Sequence, residues 1–219
     1  MKSKKEMYNI LFGKDEEYSV VVVTPIQSAY NKLKNLLECN LERNNSFFLN
    51  AQFDAKNKRK GLLILSPEGI AAQDSIYTFK NVDIIFYGYA GSIDKSIEIG
   101  TKIEIHSIVD NERNNIIKEL FCIKQDYKKA ICGYSPCMLG PLANKYSNKA
   151  QEKGAQIVEM ETVYCGMIAL LNKCRFTAWV VISDMPGIIN FWELKEQDKN
   201  KFEKAKNEVI NDIVNYVKD

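Results

Sequence analysis

Histidine is almost absent from the chain: His106 is the only one, and there are just four arginines, Arg43, Arg59, Arg113 and Arg175. A zinc site wants closely paired ligands, and the six cysteines stand far apart with no C-x-x-C spacing. The expectation is thiols serving as small apolar residues, no disulfide framework, no metal and no cofactor. Neither sign of charge dominates, with 30 cationic against 28 anionic side chains and a net charge of +2. That balance gives no field that argues for nucleic acid or a membrane surface as partner. No apolar run reaches the roughly 18 residues needed to span a bilayer. The opening MKSKKEMYNILFGKDEEYS has no apolar signal core, so cytoplasmic residence is expected. Internal repeats, low-complexity tracts and long linkers are missing too, which leaves one domain over residues 1–219, with 1–17 as a peripheral N-terminal extension.

What is present is a rhythm of strand and helix. YSVVVV (18–23) is short and β-branched, and Thr24-Pro25 breaks it. A helix follows with Tyr30, Leu33, Leu36 and Leu37 on one face. FFLNAQF (47–53) and GLLILS (61–66) read as strands divided by the basic turn KNKRK, and a helix begins near Glu68 or Gly69. VDIIFYG (82–88), KIEIHSIV (102–109), QIVEM (156–160) and TAWVVIS (177–183) read as further strands, with an apolar helix over 162–172. Phe202, Val209, Ile210, Ile213, Val214 and Val217 form a helical stripe near the C-terminus. The alternation predicts an α/β fold with a central mixed, largely parallel, twisted sheet flanked by helices.

The stretch IVEMETVYCGMIAL (157–170) raises the functional question, because two glutamates stand at the entrance to a nearly uncharged segment. In an α/β sheet the ligand crevice lies outside the carboxyl ends of the strands. Glu161 falls at that end of QIVEM, Asp184 at that end of TAWVVIS, and Gly88 and Gly91 at that end of VDIIFYG. With Thr24, four strand ends open onto one crevice. Each carboxylate also has a purely structural reading: Glu161 complementing the helix dipole, Asp184 capping the turn before Pro186. Glu159 reads as structural, satisfied by a hydrogen bond or a cation. His106 reads as structural as well.

Taken together, V-E-M-E before a small and apolar helix, S-D after a β-branched strand, and Tyr87-Gly88-Tyr89-Ala90-Gly91-Ser92 in place of T-G-S-A-G-G resemble the purine nucleoside phosphorylase and nucleosidase superfamily. The pattern is most similar to methylthioadenosine/S-adenosylhomocysteine nucleosidases, and SPEGIAAQ (66–73) resembles that family's S-G-I-G-K-V-x-A. The resemblance runs from about residue 18 to 217. It implies cleavage of an N-glycosidic bond in a small-molecule nucleoside, by hydrolysis or by phosphorolysis, and a homo-oligomer. By resemblance Glu161 grips the ribose hydroxyls, Met160 packs on the sugar, and Asp184, beside Ser183, assists the departing base. Tyr89, Ala90 and the two glycines border the sugar and nucleophile, Ile26 follows strand one, and Ser135 and Pro136 border the base.

The departures are equally specific. The nucleosidases carry glutamates just after strand one, where this chain reads Thr24-Pro25-Ile26-Gln27-Ser28. The phosphorylases hold phosphate with arginines, one of which begins the glycine motif, where this chain reads Phe86-Tyr87. The family's S-G-D-A-F-type loop corresponds to Cys132–Cys137, so its stacking phenylalanine is replaced near Pro136. The sequence therefore leaves an enzyme that cleaves the glycosidic bond, by hydrolysis with Glu68 as a substitute base or alternatively by phosphorolysis, and a nucleoside-binding descendant without turnover. Phe191 and Trp192, after S-D, fall where relatives close a lid, and a plain packing role is the alternative.

Overall fold

The computed structural model describes residues 4–13, 17–43, 46–110, 117–137 and 140–219. Helix α1 (Lys4–Phe12) precedes β1 (Val20–Thr24) and α2 (Gln27–Leu36), followed by β2 (Leu41–Arg43), β3 (Asn50–Ala55), β4 (Arg59–Leu65) and β5 (Asp83–Ser92). Next come β6 (Lys102–Val109), β7 (Ile117–Glu119), β8 (Lys128–Tyr134), α3 (Gly140–Glu152), β9 (Ile157–Glu159), α4 (Thr162–Leu171), β10 (Arg175–Asp184) and α5 (Glu196–Lys218).

The β-branched run of β1 is buried along its whole length because the strand is flanked by parallel β4 and β5. The strand order is β10-β6-β8-β9-β5-β1-β4-β3-β2, with β7 alongside β6. A second pairing, parallel β5 with β10, joins the two ends of the first half, so β5, β10, β6, β8 and β9 form a closed ring and β1-β4-β3-β2 a sheet extending from it. The mixed sheet expected from the sequence is present, but "largely parallel" is too strong. The β2–β3, β3–β4, β5–β9, β6–β7 and β6–β10 pairs are all antiparallel. Helices α2 and α5 pack on each other and against β4 and β10, while α4 packs on β6, β8 and β10.

Several elements differ from the sequence reading for local reasons. Tyr30, Leu33 and Leu37 are fully buried, but Leu36, at the edge of that stripe, is exposed. The third strand begins at Asn50 rather than Phe47, because Asn50 Nδ2 and Ser46 Oγ both donate to the Phe48 carbonyl and hold the preceding residues in a loop. Phe47 projects outward from that loop at 73% exposure, while Phe48 is buried. The segment after Glu68 is a 3-10 turn, Gly69–Ser75, not an α-helix. Residues 1–17, read as peripheral, contain α1, which fully buries Phe12 against Phe48 and Phe79. No helix among the described residues is long and apolar enough to cross a membrane.

Candidate active site

Strands β1, β4, β5 and β10 run parallel, and the loops leaving their carboxyl ends converge on a cleft of about 450 Å³. Pro25–Ser28 contribute from the end of β1, Glu68 from beyond β4, Tyr89 and Gly91 from β5, and Ser183, Asp184 and Pro186 from β10. Ser135 and Cys137 close the cleft from beyond β8, and Val158–Glu161 from β9 and its exit.

The two glutamates of IVEMETVYCGMIAL now separate. Glu159 Oε2 accepts the backbone N–H groups of Glu161 (2.7 Å) and Thr162, the first donors of α4. Glu159 thus serves the helix terminus, the task that helix-dipole complementarity had offered Glu161. The Glu161 side chain makes no cap. It reaches across the cleft and accepts the Gly69 N–H at 2.5 Å. Its carboxyl is pushed well above the usual range, first by burial, then by the charge of Glu159 and a hydrogen bond between the two side chains, with the Gly69 contact opposing. At neutral pH Glu161 therefore keeps its proton.

Asp184 is 6% exposed and accepts the Ser183 hydroxyl at 2.5 Å. Burial raises its pKa, and the Ser183 hydrogen bond works against that rise. A β-carbon at Gly91 would lie 2.7 Å from Pro186 Cγ and 3.4 Å from Asp184 Oδ2, so glycine is what lets the Asp184 loop close over β5.

The wall beside the β1 loop is aromatic. Tyr89 packs edge-on against Phe202 of α5 at 4.9 Å, and Phe202 against Phe191 at 5.4 Å. Burial, aided by Glu203, raises the Tyr89 phenol to about 12. The lid expectation meets a short 3-10 turn, Phe191–Glu193, held by reciprocal Asn190–Glu193 bonds. It leaves Trp192 56% exposed and outside the cleft lining.

Of the residues singled out from sequence, Ile26, Tyr89, Gly91, Ser135, Met160, Glu161, Ser183 and Asp184 lie together on the cleft. Gly88, Ala90 and Pro136 are not on its lining. The strand expected to end at Gly88 continues to Ser92, which places Gly88 and Ala90 inside β5, paired with Val180 and Ile182. Glu159, read from the sequence as structural and satisfied by a hydrogen bond, is held by the Glu161 and Thr162 N–H groups; sequence reasoning passed over Pro186, for which the Asp184-x-Pro186 step was the available signal.

Arg43 donates to the Phe12 carbonyl and Tyr18 hydroxyl, and Arg175 pairs with Asp83 at the opposite ends of β5 and β10. No arginine or lysine among the described residues lines the cleft, and Arg113 lies outside them. His106 contacts Ser107 Oγ at 2.8 Å and is not on the lining. All six cysteines are free, and no group of three or more His, Cys, Asp or Glu among the described residues is placed to hold a metal.

This arrangement of a partly closed mixed sheet with carboxylates at the strand ends is the fold of the nucleoside phosphorylases and nucleosidases. Within it, the structure is similar to Campylobacter jejuni 5′-methylthioadenosine/S-adenosylhomocysteine nucleosidase, with a TM-score of 0.72 at 12% identity, covering 91% of this chain and 98% of that one. It is similar also to Arabidopsis thaliana 5′-methylthioadenosine nucleosidase (TM-score 0.66, 15% identity, 92% and 97% covered). A third neighbour is Helicobacter pylori futalosine hydrolase (0.66, 11%, 88% and 92%). No protein-family model and no curated protein matches the sequence.

Proposed function

We propose that this protein cleaves the N-glycosidic bond of a purine-type nucleoside or a related metabolite by hydrolysis. The observation that carries the reading is the placement of Glu161 and Asp184, both buried and both raised in pKa, on one cleft at the carboxyl ends of the sheet. Bond cleavage puts positive charge on the sugar and negative charge on the departing base. Asp184, whose pKa is raised by burial, is suited to deliver a proton to the base, with Ser183 orienting it. Glu161, in reach of the opposite side, holds the ribose hydroxyls while Met160 packs against the sugar; Ser135 borders the base. The fold neighbours, named for methylthioadenosine and for futalosine, support nucleosides as the substrate class.

The nucleophile is water. Phosphate carries nearly two charges and needs cations or convergent N–H donors. The described lining offers no cation, which weighs against phosphorolysis. A second reading, nucleoside binding without turnover, draws support from the β1 loop, where Thr24–Ser28 carries no carboxylate. Incubating the protein with a nucleoside panel, with and without phosphate, decides among them. Free base together with free sugar in phosphate-free buffer supports hydrolysis, and a sugar 1-phosphate formed only with phosphate supports phosphorolysis. Binding without any base release supports the second reading. The same reading carries a homo-oligomer, checked by sedimentation.

A further inference from the structure

The basic turn KNKRK (56–60), which leads from β3 into β4, has no residue on the cleft. It lies at the opposite pole of the sheet, where the parallel strands β1, β4, β5 and β10 begin at Val20, Arg59, Asp83 and Arg175. The backbone there is tied together. The Ser19 N–H donates to the Lys60 carbonyl, that of Asp83 to Ser19, that of Arg175 to Val82 and that of Asn81 to Asn172. Among these strand starts is a concavity of about 400 Å³, within the range of small-ligand sites and lined by Ser19, Arg59, Asn81, Asp83, Lys173 and Arg175.

Its charges do not balance, because three cations share one carboxylate. Asp83 takes Arg175 through both oxygens, with Nε at 2.6 Å from Oδ1, and the Phe121 ring lies 5.1 Å from the same guanidinium. Edge and face of the guanidinium are thereby fixed, while Nη1 stands outside the pair. Arg59 donates its Nε–H to the Lys56 carbonyl, and neither Arg59 nor Lys173 has an acidic partner among the described residues. The dipole of α4 accounts for a cation at Lys173, just past its C-terminus, but not for Arg59, which arrives from another strand. A concavity of about 340 Å³ beside α5 shows the contrast. It too carries three cations, Lys102, Lys201 and Lys204, but Glu208 meets Lys102 at 2.9 Å and Glu98 meets Lys201 at 3.6 Å. Without such partners the cations at the β4 pole repel one another and favour an anion among them.

We propose that this pole binds a small anion bearing two or more phosphoryl groups, at a site separate from the cleft. Arg59 and Arg175 present planar N–H forks that match phosphoryl oxygens, Lys173 adds a point charge, and the Asn81 amide is a neutral donor beside them. A volume equal to that of on the order of ten waters leaves room for more than one phosphoryl group. Phosphate present in a cleavage assay therefore has a place to bind other than the cleft, and an effect on rate without any sugar 1-phosphate belongs to this pole.

The test titrates the whole chain with inorganic tripolyphosphate by calorimetry, in about 50 and about 200 mM sodium chloride. Saturable binding is expected, weaker by about threefold or more at the higher salt, with orthophosphate weaker than tripolyphosphate by about tenfold or more. Arg59→Gln with Lys173→Gln alters two exposed side chains, so the melting temperature should hold while tripolyphosphate binding falls by about tenfold or more. Lys201→Gln with Lys204→Gln removes the same charge from the balanced concavity and is expected to change binding by less than about twofold. No saturable binding at the lower salt overturns the proposal, and so does binding that the Arg59 and Lys173 changes leave intact. Equal losses in the two double variants overturn it as well, since they mark diffuse surface charge. Displacement of tripolyphosphate by a nucleoside would put the anion in the cleft and overturn a separate site. None of these outcomes bears on the hydrolytic reading, whose readout is base release.

Discussion

Trp179 and Glu104 face each other across the antiparallel β6–β10 pair, and the indole Nε1–H donates to the Glu104 carboxylate at 2.9 Å. Glu104 is completely buried. It also accepts the N–H groups of Ile123 (2.7 Å) and Lys124 (3.0 Å) and pairs with Lys129. The carboxylate therefore knits the loop before β8 to the middle of the strand ring. A buried charge with every partner in place contributes little over an apolar filling, whereas losing it strands several donors at once.

Glu104→Ala is accordingly expected to lose about 3 kcal/mol or more in urea unfolding, since it leaves the Trp179, Ile123 and Lys124 donors buried and unpaired. Lys129 is partly exposed and can turn to water. A loss under about 1 kcal/mol would show that water replaces the carboxylate in this network.

Glu161 makes a prediction about pH. The unfolded chain gives up this proton near pH 4.5, while the folded chain holds it to higher pH. Above pH 4.5 the native state thus binds more protons than the unfolded one, so rising pH removes stability, by up to about 1.4 kcal/mol per unit from this group. Glu161→Gln carries no such proton. The variant is expected to melt higher than the parent at pH 8–9 and about equally at pH 4, and thermal scans across that range check it. Equal melting temperatures at both ends would contradict a proton held on Glu161.

The same variant is expected to lose ribonucleoside affinity. Analogues without the 2′ and 3′ hydroxyls should bind the parent poorly and be almost indifferent to the change. Titration calorimetry with matched pairs reads this, and tight binding of the dideoxy analogue to the parent would count against a sugar clamp.

Asp184→Asn is expected to lower turnover by about 10² or more while leaving binding largely intact, because an amide cannot deliver a proton to the departing base. If Asp184 delivers that proton, the parental kcat should fall as pH rises through its raised pKa. A kcat unchanged by the substitution would reduce Asp184 to a turn residue.

Gly91→Ala tests the closure of the Asp184 loop. The added methyl would meet Pro186 at 2.7 Å and must displace it, carrying Asp184 along. The expected result is a loss of kcat of tenfold or more with a small change in melting temperature. Parental activity would mean that the loop has room to shift.

How much of this was legible in the sequence varied with the physics involved. Strands β1, β5 and β10 announced themselves because parallel strands buried on both faces are continuous β-branched and aromatic runs. So did the Glu161 and Asp184 positions, since a charge just past such a run stands at a strand end. Helix α3 did not, since GPLANKYSNKAQE has a weak apolar face and buries only Ala143, Ser147 and Ala150. Strand β8 is KKAICGY, whose lysines mask a half that is buried. Gly88 misled for another reason: glycines suggest a turn, but here they lie within a strand that something approaches closely. Glu159 was read as structural and satisfied by a hydrogen bond, and the α4 N–H groups that hold it supply that bond.

The strand ring also governs when the cleft can come into being. Strand β10 lies between β5 and β6, pairing Asp83 with Arg175 and Ile105 with Ala178, so its partners wait for it across some seventy to ninety positions of chain. During synthesis the first 174 residues expose the open edges of β5 and β6, both apolar and well suited to adding a strand from another molecule. Only when β10 leaves the ribosome do those edges disappear, and the same insertion delivers Asp184 to the site. Protection from aggregation and arrival of the Asp184 carboxyl at the cleft thus coincide in one late event, and a chain truncated before Arg175 should be both inert and insoluble.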